Sequence, residues 1–210
     1  SIIENHFILL TKGIIMFTVG LTGGVASGKT TATNFFKQNG IEVIDADEIS
    51  RELQQVGTKG YEAIVNKFGK KIITSNNEID RKTLREIAFS SDEHKTWLEE
   101  LMHPLIREET LNRFSKVKTS WAIYSAPLWS EEHAFDRTLV IDVPKDIQIQ
   151  RIIERDDCTK KTALEMVNAQ LESNERNNFA TDLIVNDASI EEFNNKLDFY
   201  LNLFNKLASE

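Results

Sequence analysis

The chain has 210 residues, 40% of them hydrophobic, with twelve Phe, three Trp and a formal net charge of −8. This length suits one α/β core with inserted subdomains, and the acidic balance excludes a broad nucleic-acid or anionic-membrane surface, since both need concentrated Lys and Arg. A local cationic pocket for a small anion stays open. The single cysteine, Cys158, excludes an intrachain disulfide and a multi-cysteine metal site, and the composition as a whole suits a reducing, cytoplasmic setting.

Residues 1–15, "SIIENHFILLTKGII", carry Glu4, His6 and Lys12, lack a basic start and are too short to span a bilayer. They read as an N-terminal appendage, and Met16 opens a much better strand, "MFTVGLT". No other stretch is a membrane candidate. Gly23 and Gly24 break that strand. A helix is expected from about Gly28, running through "TTATNFFKQN" to Gly40, a natural glycine just beyond a helix end. "IEVIDAD" supplies a second strand ending at Asp45 and Asp47, so the order is a βαβ unit.

Residues 48–118 change to helical periodicity with many charges, and helix starts are expected at Thr58, Asp80, Ser91 and Pro104. The sheet returns at "WAIYSAPLW" (residues 121–129) and at "RTLVIDVP" (residues 137–144). A charged helical stretch with Thr159 as a cap comes next, then a fifth strand in "DLIVND". Ser189 and Glu192 form an S-x-x-E capping box for the last helix, with Ile190, Phe193, Leu197, Tyr200, Leu201, Phe204 and Leu207 expected on its buried face. There is no internal repeat or low-complexity tract. The expectation is one unit over residues 16–210, with helical insertions.

Gly23-x-x-x-x-Gly28-Lys29-Thr30 matches the phosphate-binding P-loop pattern in full, after a strand and before a helix. Glycines let backbone N–H groups turn inward around phosphate oxygens, and the helix N-terminus adds its positive dipole. The loop and first turn, Gly24, Val25, Ala26, Ser27, Gly28, Lys29, Thr30 and Thr31, are the candidate ATP contacts. Lys29 would bridge the terminal phosphates, and the Thr30 hydroxyl would hold Mg²⁺.

Three uses of a P-loop compete. A GTP switch has one signal, "NKLD" at residues 195–198, but it lies inside the last helix rather than after a strand, and no D-x-x-G accompanies it. A motor needs an acidic residue after the third strand, where this chain has Ser125. A small-molecule kinase gains from Asp47, just beyond the second strand at the sheet edge where the P-loop opens. A carboxylate there can take the proton of an attacking hydroxyl, whereas a phosphate acceptor needs no such base. Asp47 therefore points to an alcohol acceptor, with a helix N-cap as its competing role.

The segments "GLTGGVASGKTT", "GIEVIDADEISRELQ", "DRKTLREIAF", "HPLIREE", "APLWSE" and "QRIIERDDCTKKTALEMVNAQ", in order from Met16 to about Asn186, together resemble the dephospho-CoA kinase family. The resemblance implies an α/β P-loop kinase fold: a five-stranded parallel sheet flanked by helices, a helical CoA domain over residues 48–118 and a small helical lid over about 151–178. It implies transfer of the ATP γ-phosphate to the ribose 3′-hydroxyl of dephospho-CoA, the last step of CoA synthesis, with Mg²⁺ and with no nucleic acid, membrane or obligate protein partner.

Carried over residue by residue, the resemblance makes Asp47 the general base and Arg81 and His103 substrate-side residues. Arg151 and Arg155 become lid arginines that neutralise the transferring phosphates, four apart on one helix face. Arg176 is a further substrate-side candidate, Asn186 lies near the expected adenine pocket, and Glu131 is an indirect magnesium contact, set against a plain surface acid. Two segments depart from the family pattern. "PLLFE" becomes "PLWSE", and "ADVVIDN" becomes "ATDLIVN", with Thr181 where an Asp is usual and Asp182 either replacing it or serving structure alone. Two rival readings remain: a P-loop kinase of another small alcohol, such as a shikimate-like acceptor, and a nucleotide-binding regulator without phosphotransfer.

Overall fold

The structure, a computed structural model, describes residues 16–126, 135–170 and 173–210. The five strands are β1 (Phe17–Gly23), β2 (Glu42–Asp45), β3 (Trp121–Ser125), β4 (Arg137–Asp142) and β5 (Asp182–Val185). They form one parallel sheet in the order β2-β3-β1-β4-β5, as the resemblance implies. The central strand β1 is buried along almost its whole length, which explains its run of apolar and β-branched residues. The third and fourth strands are shorter than their apolar runs: β3 ends at Ser125, and β4 ends at Asp142 because Pro144, lacking an N–H, opens the next helix instead. Residues 127–134, which include Glu131, lie outside the described residues.

The chain forms two compact units. The first comprises the sheet with its flanking helices, and the second spans Asp45–Ser115. In the first, α1 (Lys29–Gln38) succeeds the P-loop and ends at Gly40, whose φ of 80° is the left-handed turn a glycine permits. The last helix, α9 (Ile190–Leu207), starts where Ser189 Oγ accepts the Glu192 N–H at 3.2 Å. Phe193, Leu197, Leu201 and Phe204 of α9 join Val19, Leu21, Phe36, Trp121 and Ile141 in the core. Trp121 meets Phe36 and Phe204 edge-on, at 6.0 and 5.4 Å, while its indole N–H donates to Asn205 Oδ1 at 2.8 Å. Ile190, expected on this face, is 62% exposed because it stands in the first turn, ahead of the residues that cover the sheet.

The second unit is helical: α2 (Ala46–Glu52), α3 (Lys59–Phe68), a 3₁₀ turn at Lys70–Ile72, α4 (Arg81–Phe89) and α5 (Asp92–Phe114). Thr58, Asp80 and Ser91 cap α3, α4 and α5 through side-chain oxygens, as their residue types predict. Pro104 departs from expectation. It lies in the middle of the 23-residue α5 rather than at a helix start. The helix continues because Met102 on one side of Pro104, and Thr110 and Phe114 on the other, are buried, so packing offsets the one backbone bond that proline cannot make. Ile64, Phe68, Ile72, Ile79, Leu84 and Met102 form this unit's own core. Arg113 ties α5 to α2 by pairing with Glu52, and it also holds Glu109 at 3.0 Å.

The "ATDLIVN" departure has a structural explanation. Asp182, 7% exposed, accepts two bonds from Arg137, at 2.8 and 2.6 Å, and one from the Thr181 hydroxyl at 2.7 Å. Thr181 Oγ1 also takes the Thr138 N–H at 2.7 Å. These groups open β4 and β5, at the sheet edge opposite the P-loop, so Asp182 serves the sheet rather than the chemistry. Because the Trp121 cluster ties α1 and α9 to β3, Phe204→Ala is expected to cost about 3–5 kcal/mol of stability in urea unfolding. A loss below about 1 kcal/mol would show that this cluster is not central to the fold.

Candidate active site

Strands β1 and β4 are parallel neighbours, with Thr22 opposite Val140 and Gly23 opposite Ile141. The segments that continue from these two strands therefore leave the sheet at the same edge. After β1 comes the P-loop. After β4 come α6 (Lys145–Asp156), α7 (Lys160–Asn168) and the short α8 (Ser173–Asn177). The loop itself bends through two left-handed residues, Ala26 at φ 56° and Gly28 at φ 102°, with the Ser27 N–H donating to Gly24 O at 3.1 Å. Gly28 also lies against Asn186: an added Cβ would sit 2.6 Å from Asn186 Nδ2.

The loop is held from several sides. Asn186, buried at the end of β5, donates its amide N–H to Ser27 O at 2.7 Å. Gln148, one turn into α6 and 4% exposed, donates to Val25 O at 2.7 Å. Gln170, just past α7, accepts the Val25 N–H at 2.9 Å. Lys29 Nζ lies 3.4 Å from Ser125 Oγ, so the serine at the end of β3, where a motor would carry an acid, meets the P-loop lysine.

Beside Gly24 the guanidinium of Arg176, 4% exposed, donates to Asp142 Oδ1 at 2.9 Å and to Ser173 Oγ at 3.0 Å. Asn177 donates to the other Asp142 oxygen at 3.0 Å. Burial alone would push the Asp142 carboxyl up, but the bonds from Asn177, Arg176 and Ser173 outweigh it and hold it below the usual carboxylate range. Asp142, Gln148, Gln170, Ser173 and Arg176 help line a cleft of about 540 Å³ beside the loop.

The other candidate residues are spread over both units. Arg151 and Arg155 share α6, and Arg155 makes a two-pronged pair with its neighbour Asp156, both bonds at 2.7 Å, which raises the Arg155 pKa. Thr30 and Thr31 are exposed at the start of α1. In the second unit, Asp47 is exposed in the first turn of α2, but the cap of that helix is Asp45, whose Oδ1 takes the Asp47 and Glu48 N–H groups at 2.9 and 3.1 Å. The capping role weighed for Asp47 thus belongs to Asp45. Arg81 is exposed in the first turn of α4, and His103 is exposed within α5 next to Pro104. The "NKLD" lysine has a local use: Lys196 donates to Val185 O at 2.9 Å and pairs with Glu192 and Asp187, closing the end of β5.

Among the described residues no group of three or more His, Cys, Asp or Glu could hold a metal. The oxygen offered at the start of α1 is the exposed Thr30 hydroxyl, a hard donor that fits a cation taking most of its ligands from phosphate and water. Among the described residues no helix is long and apolar enough to cross a membrane.

The sequence model of the dephospho-CoA kinase family matches residues 17–192. The chain belongs to this family. Curated relatives named dephospho-CoA kinase include one from Idiomarina loihiensis, 40% identical over 185 residues, covering 87% of this chain and 92% of the relative. One from Legionella pneumophila is 36% identical, covering 88% and 93%. Among solved structures, dephospho-CoA kinase from Campylobacter jejuni aligns with a TM-score of 0.63 at 26% identity, covering 88% of this chain and 95% of that one. TT1252 from Thermus thermophilus shares the fold, with a TM-score of 0.76 at 22% identity over 90% and 95% of the two chains. The chain is therefore an enzyme, an ATP-using kinase that phosphorylates dephospho-CoA in coenzyme A biosynthesis.

Residue patterns alone do not single out Asp142, Gln148 and Gln170. Two are uncharged glutamines in helical stretches, and nothing in "DIQIQR" or "VNAQ" marks them as loop supports. Asp142 offers a check through pH. A carboxyl held below its unfolded value near 3.9 contributes stability above that pH and loses it as pH falls through the lower folded value. Asp142→Asn is expected to unfold at lower urea at pH 7, because buried Arg176 loses its partner charge, and its gap from the parent should narrow under acid. A gap that stays constant into the acid range would contradict this role.

Proposed function

We propose that the chain transfers the γ-phosphoryl group of ATP to the ribose 3′-hydroxyl of dephospho-CoA, with Asp47 as the general base. The observation that carries this reading is the P-loop, bent through Ala26 and Gly28 and held by Asn186, Gln148 and Gln170. In this arrangement the loop amides and Lys29 hold the β- and γ-phosphates. The Thr30 hydroxyl would hold Mg²⁺, which when bound would draw charge from the phosphate oxygens.

The Asp47 carboxylate takes the proton of the 3′-hydroxyl as that oxygen forms its bond to the γ-phosphorus, and the bond to the ADP oxygen breaks. Arg151 and Arg155 neutralise the transferring charge. Arg155, held by Asp156, exchanges part of that carboxylate pairing for phosphate oxygens. Arg81 and His103, exposed on the helical unit, meet the acceptor. Asn186 acts on the nucleotide through the loop that it bonds, and Arg176, beside Gly24, meets the substrate. The helical insertion of residues 48–118 is the acceptor-binding part, and residues from about 151 to 178 form the lid.

A coupled ADP assay with dephospho-CoA, shikimate and adenosine monophosphate as rival acceptors tests the reading. ADP release should depend on dephospho-CoA, and folded protein with Mg²⁺ that ignores it would sink the proposal. Asp47→Asn should lower kcat roughly a hundredfold or more while ATP still binds. A near-normal kcat would remove Asp47 from the chemistry. Lys29→Ala should weaken ATP binding, and full ATP binding in that variant would contradict the P-loop assignment.

A further inference from the structure

The peptide groups of Val25 are gripped from two helices at once. Its N–H donates to Gln170 Oε1 at 2.9 Å, and its C=O accepts from Gln148 Nε2 at 2.7 Å. Each carboxamide presents the end that the peptide requires, an acceptor to the N–H and a donor to the C=O. The fit is close. A Cβ added at Gly24 would lie 2.8 Å from Gln148 Nε2, 3.0 Å from Arg176 Nη1 and 3.3 Å from Gln170 Oε1. These three side-chain ends would have to give way to a side chain at Gly24, whose own φ is not in the left-handed region.

The residue after Val25 is Ala26, which carries a side chain at φ 56°. A non-glycine residue in that region is strained and persists only where its surroundings determine it. The two glutamines fix the two peptide groups before it, Gln170 the Gly24–Val25 peptide and Gln148 the Val25–Ala26 peptide. They come from α6 and from the turn after α7, elements that make no other hydrogen bond to Val25 among the described residues.

We infer that Gln148 and Gln170 are positioning residues for the nucleotide: they hold the backbone on both sides of Val25 so that the amides of the next loop residues converge on the phosphates. The inference rests on the P-loop assignment above. A pre-shaped loop lowers the ordering cost of binding the triphosphate, in the ground state and the transition state alike. Removing the clamp therefore raises KM and Kd for ATP and leaves kcat nearly unchanged.

Gln148→Met and Gln170→Met keep approximate size and remove the hydrogen bond. Each is expected to raise KM and Kd for ATP about 5–10-fold, the scale of one net hydrogen bond, with kcat and the KM for dephospho-CoA within about twofold. Because both act on the backbone of one residue, the double variant should lose less than the product of the two single effects. Amide exchange gives a second readout. The Val25 N–H should be protected in the parent, exposed in Gln170→Met and protected again in Gln170→Glu, which keeps an acceptor.

An unchanged KM for ATP in folded variants would overturn the inference. So would a lowered one, which would mean that Gln170 competes with phosphate for the Val25 N–H. Should the Met variants fail to fold, an unprotected Val25 N–H in the parent overturns the inference and a protected one, retained in Gln170→Glu, supports it. Lys29→Ala in the same series separates the two claims. If it loses ATP and the glutamine variants do not, only the clamp fails. If it keeps ATP, the P-loop assignment itself fails.

Discussion

The contact between side chains and bare backbone at Gly24 is the constraint on which the rest of the site depends. Strands β1 and β4 leave the sheet side by side, and side chains from the segments after β4 reach the turn after β1. The bare backbone of Gly24 lets the ends of Gln148, Gln170 and Arg176 come close to the turn, and a side chain there would displace them. The glycines of a P-loop are usually credited to the phosphate they surround. Here one of them, Gly24, is also approached closely by side chains from the segments after β4.

The two edges of the sheet divide the work. At the edge where strands begin, Arg137, Asp182 and Thr181 form a dense polar knot with its charges paired and its hydroxyl bonded at both ends. At the edge where strands end, the polar groups face a loop and a cleft: Asp142 and Arg176 beside Gly24, Ser125 against Lys29, and Asn186 under Ser27. The paired charges at the first edge hold strands, and those at the second lie beside the glycine loop. This division obeys the general rule that open parallel sheets bind ligands beyond the carboxyl ends of their strands.

Much of this is legible in the residues alone. The strand–glycine turn–helix order, the five apolar runs and the caps at Thr58, Asp80, Ser91 and Ser189 are local signals, and local chemistry forms them as expected. Pro104 misleads because a proline favours a first turn only when nothing stronger holds the helix together, and burial of Met102, Thr110 and Phe114 is stronger. Ile190 fits the periodicity of α9, but periodicity does not say where the covered surface ends. Gln148 and Gln170 are invisible for a different reason. Their partners lie 123 and 145 positions away, and a glutamine on a helix has no local signature of that contact.

Which oxygen receives the phosphate is the central question, and the product itself answers it most directly. Dephospho-CoA and ATP are incubated with the protein and Mg²⁺, and the product is examined by ³¹P NMR with correlation to the ribose protons. Transfer to the 3′-hydroxyl predicts a new phosphomonoester coupled to the ribose 3′ proton, formed with one ADP per product. A phosphomonoester coupled to the 2′ proton, or ADP formed with no new ester on the acceptor, would contradict it.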